Sequence, residues 1–239
     1  MWRRGAASTQ AFGHLVEYAN LQRLYWMAVF MVPINLFHIG LFGYFSTRPQ
    51  TTPIEVQWAI RLCIMHACMA LALSAIGATA RVFRVRAVRP GHARTLSEMT
   101  VLVGLCVAAG VTSADQLVTS NITPFVLGVL VIGMLVPVRP MKSLVLYGIG
   151  FCLFFALMLQ SEHPASVWVS NMVNGLTAVV AGLVISITNW RRTTQTLLLH
   201  RRLDRRQRLL ERKNQRLEQL ATRDSLTGLY SRKEFMRLA

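Results

Sequence analysis

Among the polar residues inside otherwise apolar runs of this 239-residue chain, seven could do chemistry together: Asn35, His38, Arg61, His66, Asp115, Asn171 and Asn174. A free imidazole changes charge near neutral pH, which makes His38 and His66 the candidate proton-binding groups. A guanidinium or a carboxylate in an apolar medium costs about 2.5 to 3.5 kcal/mol unless it finds a partner, so Arg61 and Asp115 are expected to pair. The three asparagines carry donors and acceptors suited to a polar ligand, or to bonds between helices. Metal binding is not expected. Cys63, His66 and Cys68 are close in sequence, yet positions 63 and 68 point about 140° apart on a helix and cannot share an ion. A haem held by paired histidines stays as an alternative.

The elements that must position these residues are six apolar runs, at 24–45, 56–80, 98–118, 122–138, 142–160 and 166–190. Most reach the ~20 residues that a helix needs to cross a hydrocarbon layer of ~30 Å. The run at 98–118 contains Asp115, and the run at 122–138 is short. Composition agrees with an all-α integral membrane protein of six transmembrane helices: 53% of residues are apolar, 15% are charged and the net charge is +16. A soluble domain carries about 25% charged residues. A nucleic-acid binder would concentrate its basic residues on a folded soluble unit, and none is evident. The four cysteines, Cys63, Cys68, Cys106 and Cys152, all lie in apolar runs and imply no disulfide framework.

Basic residues set the expected orientation, because Lys and Arg near the ends of spans stay in the cytoplasm. Arg81, Arg84, Arg86, Arg89 and Arg94 crowd the second connection, Arg139 and Lys142 the fourth, and Arg191 and Arg192 follow the last run. The odd-numbered connections hold only Arg48. Both termini are therefore expected inside. Residues 1–23 read as a cytoplasmic tail without a cleavable signal peptide. Phe12, Leu15, Val16 and Ala19 in that tail fit either an amphipathic helix on the lipid surface or a solvated one.

A rise of ~1.5 Å per residue places the seven polar residues at or above the membrane midplane on the outer side. The inner half of the spans is largely Val, Leu, Ile, Ala and Phe. One reading is a polar cavity open to the outside, a pocket sensing a proton or an outward-side or membrane ligand. The other is a set of hydrogen bonds holding the bundle together. Gly175, Ala178 and Gly182 share one face of the last span, where small residues let a second helix approach closely.

From 191 to 222 the chain is basic and free of Gly and Pro, which predicts a continuous helical stalk. A heptad frame puts Leu203, Leu210 and Leu217 at a, Leu199 and Leu220 at d, and Arg206 and Lys213 at the remaining d positions. Cations in the seam predict a weak parallel homodimer, sensitive to register. Binding of the stalk arginines to anionic lipid headgroups is the other reading. Asp224, Ser225, Thr227 and Gly228 then break the helix, and Ser231 with Glu234 forms a capping box that opens another.

The run Asp224-Ser225-Leu226-Thr227-Gly228-Leu229-Tyr230-Ser231-Arg232 resembles the D-x-L-T-G-L-x-N-R opening motif of GGDEF domains, the diguanylate cyclase family, with Ser231 in place of the usual Asn. The resemblance implies that Asp224 and Arg232 bind one another across the turn, fixing how a stalk helix meets the catalytic domain. It also implies that a complete family member joins two GTP with Mg²⁺ into cyclic di-GMP, in the inner membrane of a bacterium. The metal-binding Asp and the GG[DE]EF hairpin lie beyond the matched motif in that family, and the chain as given has neither. It is expected to carry no catalytic residue and no cofactor of its own. The expected domains are the tail at 1–23, a sensor at 24–190, a stalk at 191–222 and the start of a truncated GGDEF domain at 223–239. Two alternatives stand beside this reading: a membrane transport or scaffold protein with a helical tail, and a silent receptor that modulates an intact cyclase.

Overall fold

The computed structural model describes residues 13–86, 88–222 and 236. The described residues form no strand. They build six helices: α1 (Gly13–Ser46), α2 (Pro53–Val85), α3 (Pro90–Asp115), α4 (Thr123–Leu135), α5 (Pro140–Met158) and α6 (Ala165–Thr222). The chain divides into two compact units, Met1–Thr194 and Gln195–Ala239.

Proline sets several of the boundaries. A residue before proline is pushed out of the α region, and proline itself is pre-shaped for the first helical turn. Thr52, Arg89 and Arg139 accordingly take extended ψ values of 156°, 140° and 137°, and Pro53, Pro90 and Pro140 open the helices that follow. Thr52 adds a capping box, in which its hydroxyl accepts from the Glu55 amide while Glu55 accepts from the Thr52 amide at 2.8 Å.

Five helices are long and apolar enough to cross a membrane, and α4 is shorter. The run expected to span at 122–138 contains only 13 helical residues, about 20 Å of helix. Two X-Pro steps explain the shortfall. Val136 precedes Pro137 and sits at φ −120°, ψ 86°, and Arg139 precedes Pro140, so residues 136–139 stay unwound. Val136, Pro137 and Val138 are nevertheless buried.

The first helix also departs from expectation. Residues 13–23, read from sequence as part of a tail, are the first turns of α1, and Val16, Leu21 and Leu24 are completely buried in the helical unit. Glu17 and Asn20 are buried beside them because both have partners elsewhere in the unit, on α3 and in the unwound segment 136–139. Glu17 accepts from Arg139 at 2.7 Å, and Asn20 donates to the Pro137 carbonyl at 2.8 Å and to Ser97 at 3.2 Å. This face therefore meets protein rather than the lipid surface.

Inside the unit, α3 is the most interior of the apolar helices. Phe125 of α4 stacks on Phe154 of α5 at 4.1 Å between centroids, and Tyr147 donates to the Val129 carbonyl at 3.3 Å. The small face of α6 does bring helices together. A Cβ added at Gly133 would lie 2.7 Å from the Gly182 carbonyl oxygen, and one at Gly175 would lie 2.5 Å from the Phe154 ring. Outward faces are strongly apolar, with Phe37 67% and Leu71 73% exposed. Water does not support so continuous an apolar surface, whereas a lipid environment does.

In the second unit the described side chains from 199 to 217 are exposed, including Leu199, Leu203, Leu210 and Leu217.

Candidate functional site

His38 on α1 and His66 on α2 meet in direct ring contact, with centroids 4.5 Å apart. Asn35, one turn before His38, fixes the second ring. Its amide nitrogen donates to the Met31 carbonyl at 2.8 Å, which leaves its oxygen to face His66 Nδ1 at 2.8 Å. His66 therefore donates from Nδ1, and in the neutral ring Nε2 carries the lone pair. His38 Nδ1 is buried without a partner. A proton, or a hydrogen-bonding group, arriving at either free nitrogen would change the charge or bonding of a site packed between two helices. The two ring centroids stand closer than imidazoles on opposite faces of a haem would. Among the described residues no group of three or more His, Cys, Asp or Glu side chains is placed to hold a metal ion.

An aromatic cluster extends from this pair. Phe42 stacks on His66 at 5.8 Å and meets the edge of Trp58 at 5.4 Å, and Phe45 meets Trp58 from another side. Trp58 Nε1 donates to Asp115 Oδ1 at 2.9 Å. Asp115, the last residue of α3, is thus joined to the histidine pair through two aromatic rings.

The expected Arg61–Asp115 pair does not form. Arg139–Glu17 and Arg94–Glu98 do form ion pairs. Arg61 shares a cavity with Ala114, the neighbour of Asp115, so the two stand at a similar height, but height does not fix azimuth. Trp58 and Arg61 differ by about 60° around α2, and it is the Trp58 face that meets Asp115. Arg61 is exposed at the rim of a cavity of about 210 Å³ shared with Met65, Gly110 and Ser113.

Asn171 and Asn174 lie in a different cleft, of about 530 Å³, with Ser120, Asn121 and Thr123. Asn171 donates to the Ser120 carbonyl at 3.2 Å and Asn174 to Ser170 at 3.5 Å. The seven residues expected to line one cavity therefore divide. Asn35, His38 and His66 form a cluster, which Asp115 joins through Trp58. Arg61 and the asparagine pair stand apart.

Other polar residues are missing from the sequence reading altogether. Asn189 on α6 donates to the last carbonyls of α4, Gly133 at 3.2 Å and Met134 at 2.5 Å. It thus caps the last turn of α4, while Asn20 and Glu17 hold Pro137 and Arg139 of the unwound segment that follows. The signal was present in the X-Pro steps at 136–137 and 139–140, because backbone freed from a helix at membrane depth must find partners.

The motif residues Asp224, Leu226, Thr227, Gly228, Leu229 and Arg232 lie outside the described residues, as does the Ser231–Glu234 capping box.

No protein-family model, curated protein or solved structure matches this chain. Function has to be read from its own residues.

Proposed function

We propose that this chain is the membrane sensory and signal-transmitting portion of a diguanylate cyclase. The observation that carries the reading is the sequence 224–232, with its likeness to the opening motif of GGDEF domains, placed directly after a helix that begins in an apolar run. Support comes from α6, which continues without a break from Ala165 to Thr222. A movement of its apolar part would be felt at the motif. GTP and Mg²⁺ belong, in this reading, to the catalytic core that the family carries after the motif.

The reading takes the chain across the membrane six times, with both termini on the cytoplasmic side of a bacterial inner membrane. α4 supplies about 20 Å and the extended residues 136–139 about 13 Å, which together reach the ~30 Å required. The exposed leucines at 199, 203, 210 and 217 would form a weak parallel seam with a second copy, and Arg206 and Lys213 would keep it from locking in one register. Asn35, His38 and His66 would receive the signal as a proton or a small hydrogen-bonding ligand from outside.

One experiment tests the whole. Residues 1–232 are fused in frame to the catalytic core of an active diguanylate cyclase, and cellular cyclic di-GMP is measured across outside pH and with His66→Phe. The expected result is a pH response that His66→Phe abolishes and that Asp224→Ala uncouples while basal synthesis persists. A fusion whose output ignores pH, His66 and Asp224 alike would sink the proposal.

The unwound backbone at 136–139 favours a second reading, a transport protein, because interrupted helices line substrate paths in transporters. Only one such interruption is found among the described residues, whereas that architecture uses a pair.

A further inference from the structure

A cleft of about 670 Å³ lies between α1, the end of α4 and the apolar part of α6. Its walls are Trp26, Met27, Phe30 and Met31 on one side and Met134 and Leu135 on the other. Trp26 is 47% and Phe30 63% exposed, so the cleft opens outward onto the apolar surface of the unit. The size is that of a small-ligand site.

One end of this cleft is polar, formed by Gln22, Arg23 and Asn189. Arg23 Nη2 donates to Thr193 at 3.2 Å, while Nη1 is buried and has no partner. Arg23 is in neither the Arg139–Glu17 nor the Arg94–Glu98 ion pair. A half-buried guanidinium without a counter-charge is a poor arrangement unless an anion completes it. Asn189 cannot do so, since its nitrogen serves the α4 carbonyls and its oxygen accepts from Thr193 at 3.5 Å. Thr193 follows Arg191 and Arg192, the basic residues at the end of the last apolar run, the level at which phospholipid headgroups lie.

We infer that this cleft binds one anionic phospholipid, its phosphate on Arg23 Nη1 and one acyl chain along Trp26, Phe30 and Met134. Charge selects the lipid: a zwitterionic headgroup brings its own cation to the phosphate, whereas an anionic one leaves a net charge for Arg23 to meet. The apolar walls distinguish a lipid from a free phosphate, which would use only the polar end. The inference requires a membrane and is independent of the cyclase reading.

The test uses the full chain purified in detergent, with added phosphatidylglycerol or phosphatidylcholine, and bound lipid counted by native mass spectrometry. Wild type is expected to retain one phosphatidylglycerol at about a tenfold lower lipid concentration than phosphatidylcholine, the size of one charge-assisted hydrogen bond. Arg23→Gln should erase the preference, and Met134→Trp, which fills the apolar part without touching the charge, should weaken retention of both lipids. Arg191→Gln, an exposed charge outside the cleft, should change neither. The inference is overturned if wild type shows no preference, if Arg23→Gln keeps it, or if Met134→Trp retains lipid as wild type does. Displacement of the lipid by inorganic phosphate at the same concentration would also overturn it, marking a phosphate site instead. Should Arg23→Gln fail to fold, Met134→Trp and the phosphate competition still decide the outcome.

Discussion

Gly133→Ala and Gly148→Ala add the same methyl group to two helices and should move stability in opposite directions. At Gly148 a Cβ meets nothing within 4 Å, so the variant gains only the better helix propensity of alanine, up to about 1 kcal/mol. At Gly133 the new carbon would stand 2.7 Å from the Gly182 carbonyl oxygen and 2.9 Å from the Tyr147 hydroxyl. Backbone cannot turn aside as a side-chain tip can. Restoring ordinary contact means parting α4 from α6 by about 0.7 Å, which stretches the Asn189 bond to Gly133, now 3.2 Å, beyond useful range. Overpacking of this kind costs about 1 to 3 kcal/mol and the lost hydrogen bond about 1 kcal/mol. After the propensity gain, a net loss of about 2 kcal/mol remains, worth roughly 4 to 8 °C in Tm for a chain of this size. Thermal unfolding in detergent, followed by tryptophan fluorescence, measures it, and buried Trp190 beside Asn189 reports on the contact directly. Equal melting temperatures for the two variants would refute the close approach of α4 and α6.

Other outcomes follow from the same geometry. Trp58→Phe should destabilise the protein by about 1 to 3 kcal/mol in a detergent unfolding titration, since Asp115 loses its donor, whereas Arg61→Gln should stay within about 0.5 kcal/mol. The exchange Arg61→Asp with Asp115→Arg should rescue nothing. Asn20→Leu should cost a similar 1 to 3 kcal/mol by leaving the Pro137 carbonyl unpaired, and loss of packing at 136–139 should appear as faster amide exchange in that segment. Cys68 and Cys152 are both exposed, yet both lie on apolar helices. A charged maleimide should leave them largely unlabelled in sealed vesicles and label them on denaturation. Labelling in intact vesicles at the rate of a free thiol would place them in water.

What was legible in the sequence depended on periodicity and on local chemistry. The apolar runs marked all six helices, and the small residues of α6 marked a close contact, because each signal resides in neighbouring positions. The length of α4 was not legible from hydropathy, since Val136, Pro137 and Val138 are as apolar as the helix before them. Only the conformational rule for residues preceding proline distinguishes them. The similar height of Arg61 and Asp115 was legible and azimuth was not, which is why Asp115 was assigned to Arg61 instead of Trp58. The histidine pair joined Asn35 as a cluster, but its aromatic surroundings were missed, because Phe42 and Trp58 look in sequence like any lipid-facing aromatics. Glu17 and Asn20 were hidden for the converse reason. A polar lead-in resembles a solvated tail until partners more than seventy residues away are known.

The anchoring of 136–139 also constrains how the chain is made. A 13-residue helix is too short to be retained in a bilayer on its own account; the unwound segment after it needs Asn20 and Glu17, and the last turn of the helix needs Asn189. The first two residues are synthesised long before α4 and the third fifty-five residues after Met134. When α4 emerges from the ribosome, one of these three anchors does not yet exist. Its final seating must therefore wait for α6, so that a later helix closes the assembly around an earlier one. Truncation within α6, ahead of Asn189, would leave α4 without its carboxyl-terminal anchor and expose the nascent bundle to quality-control proteolysis.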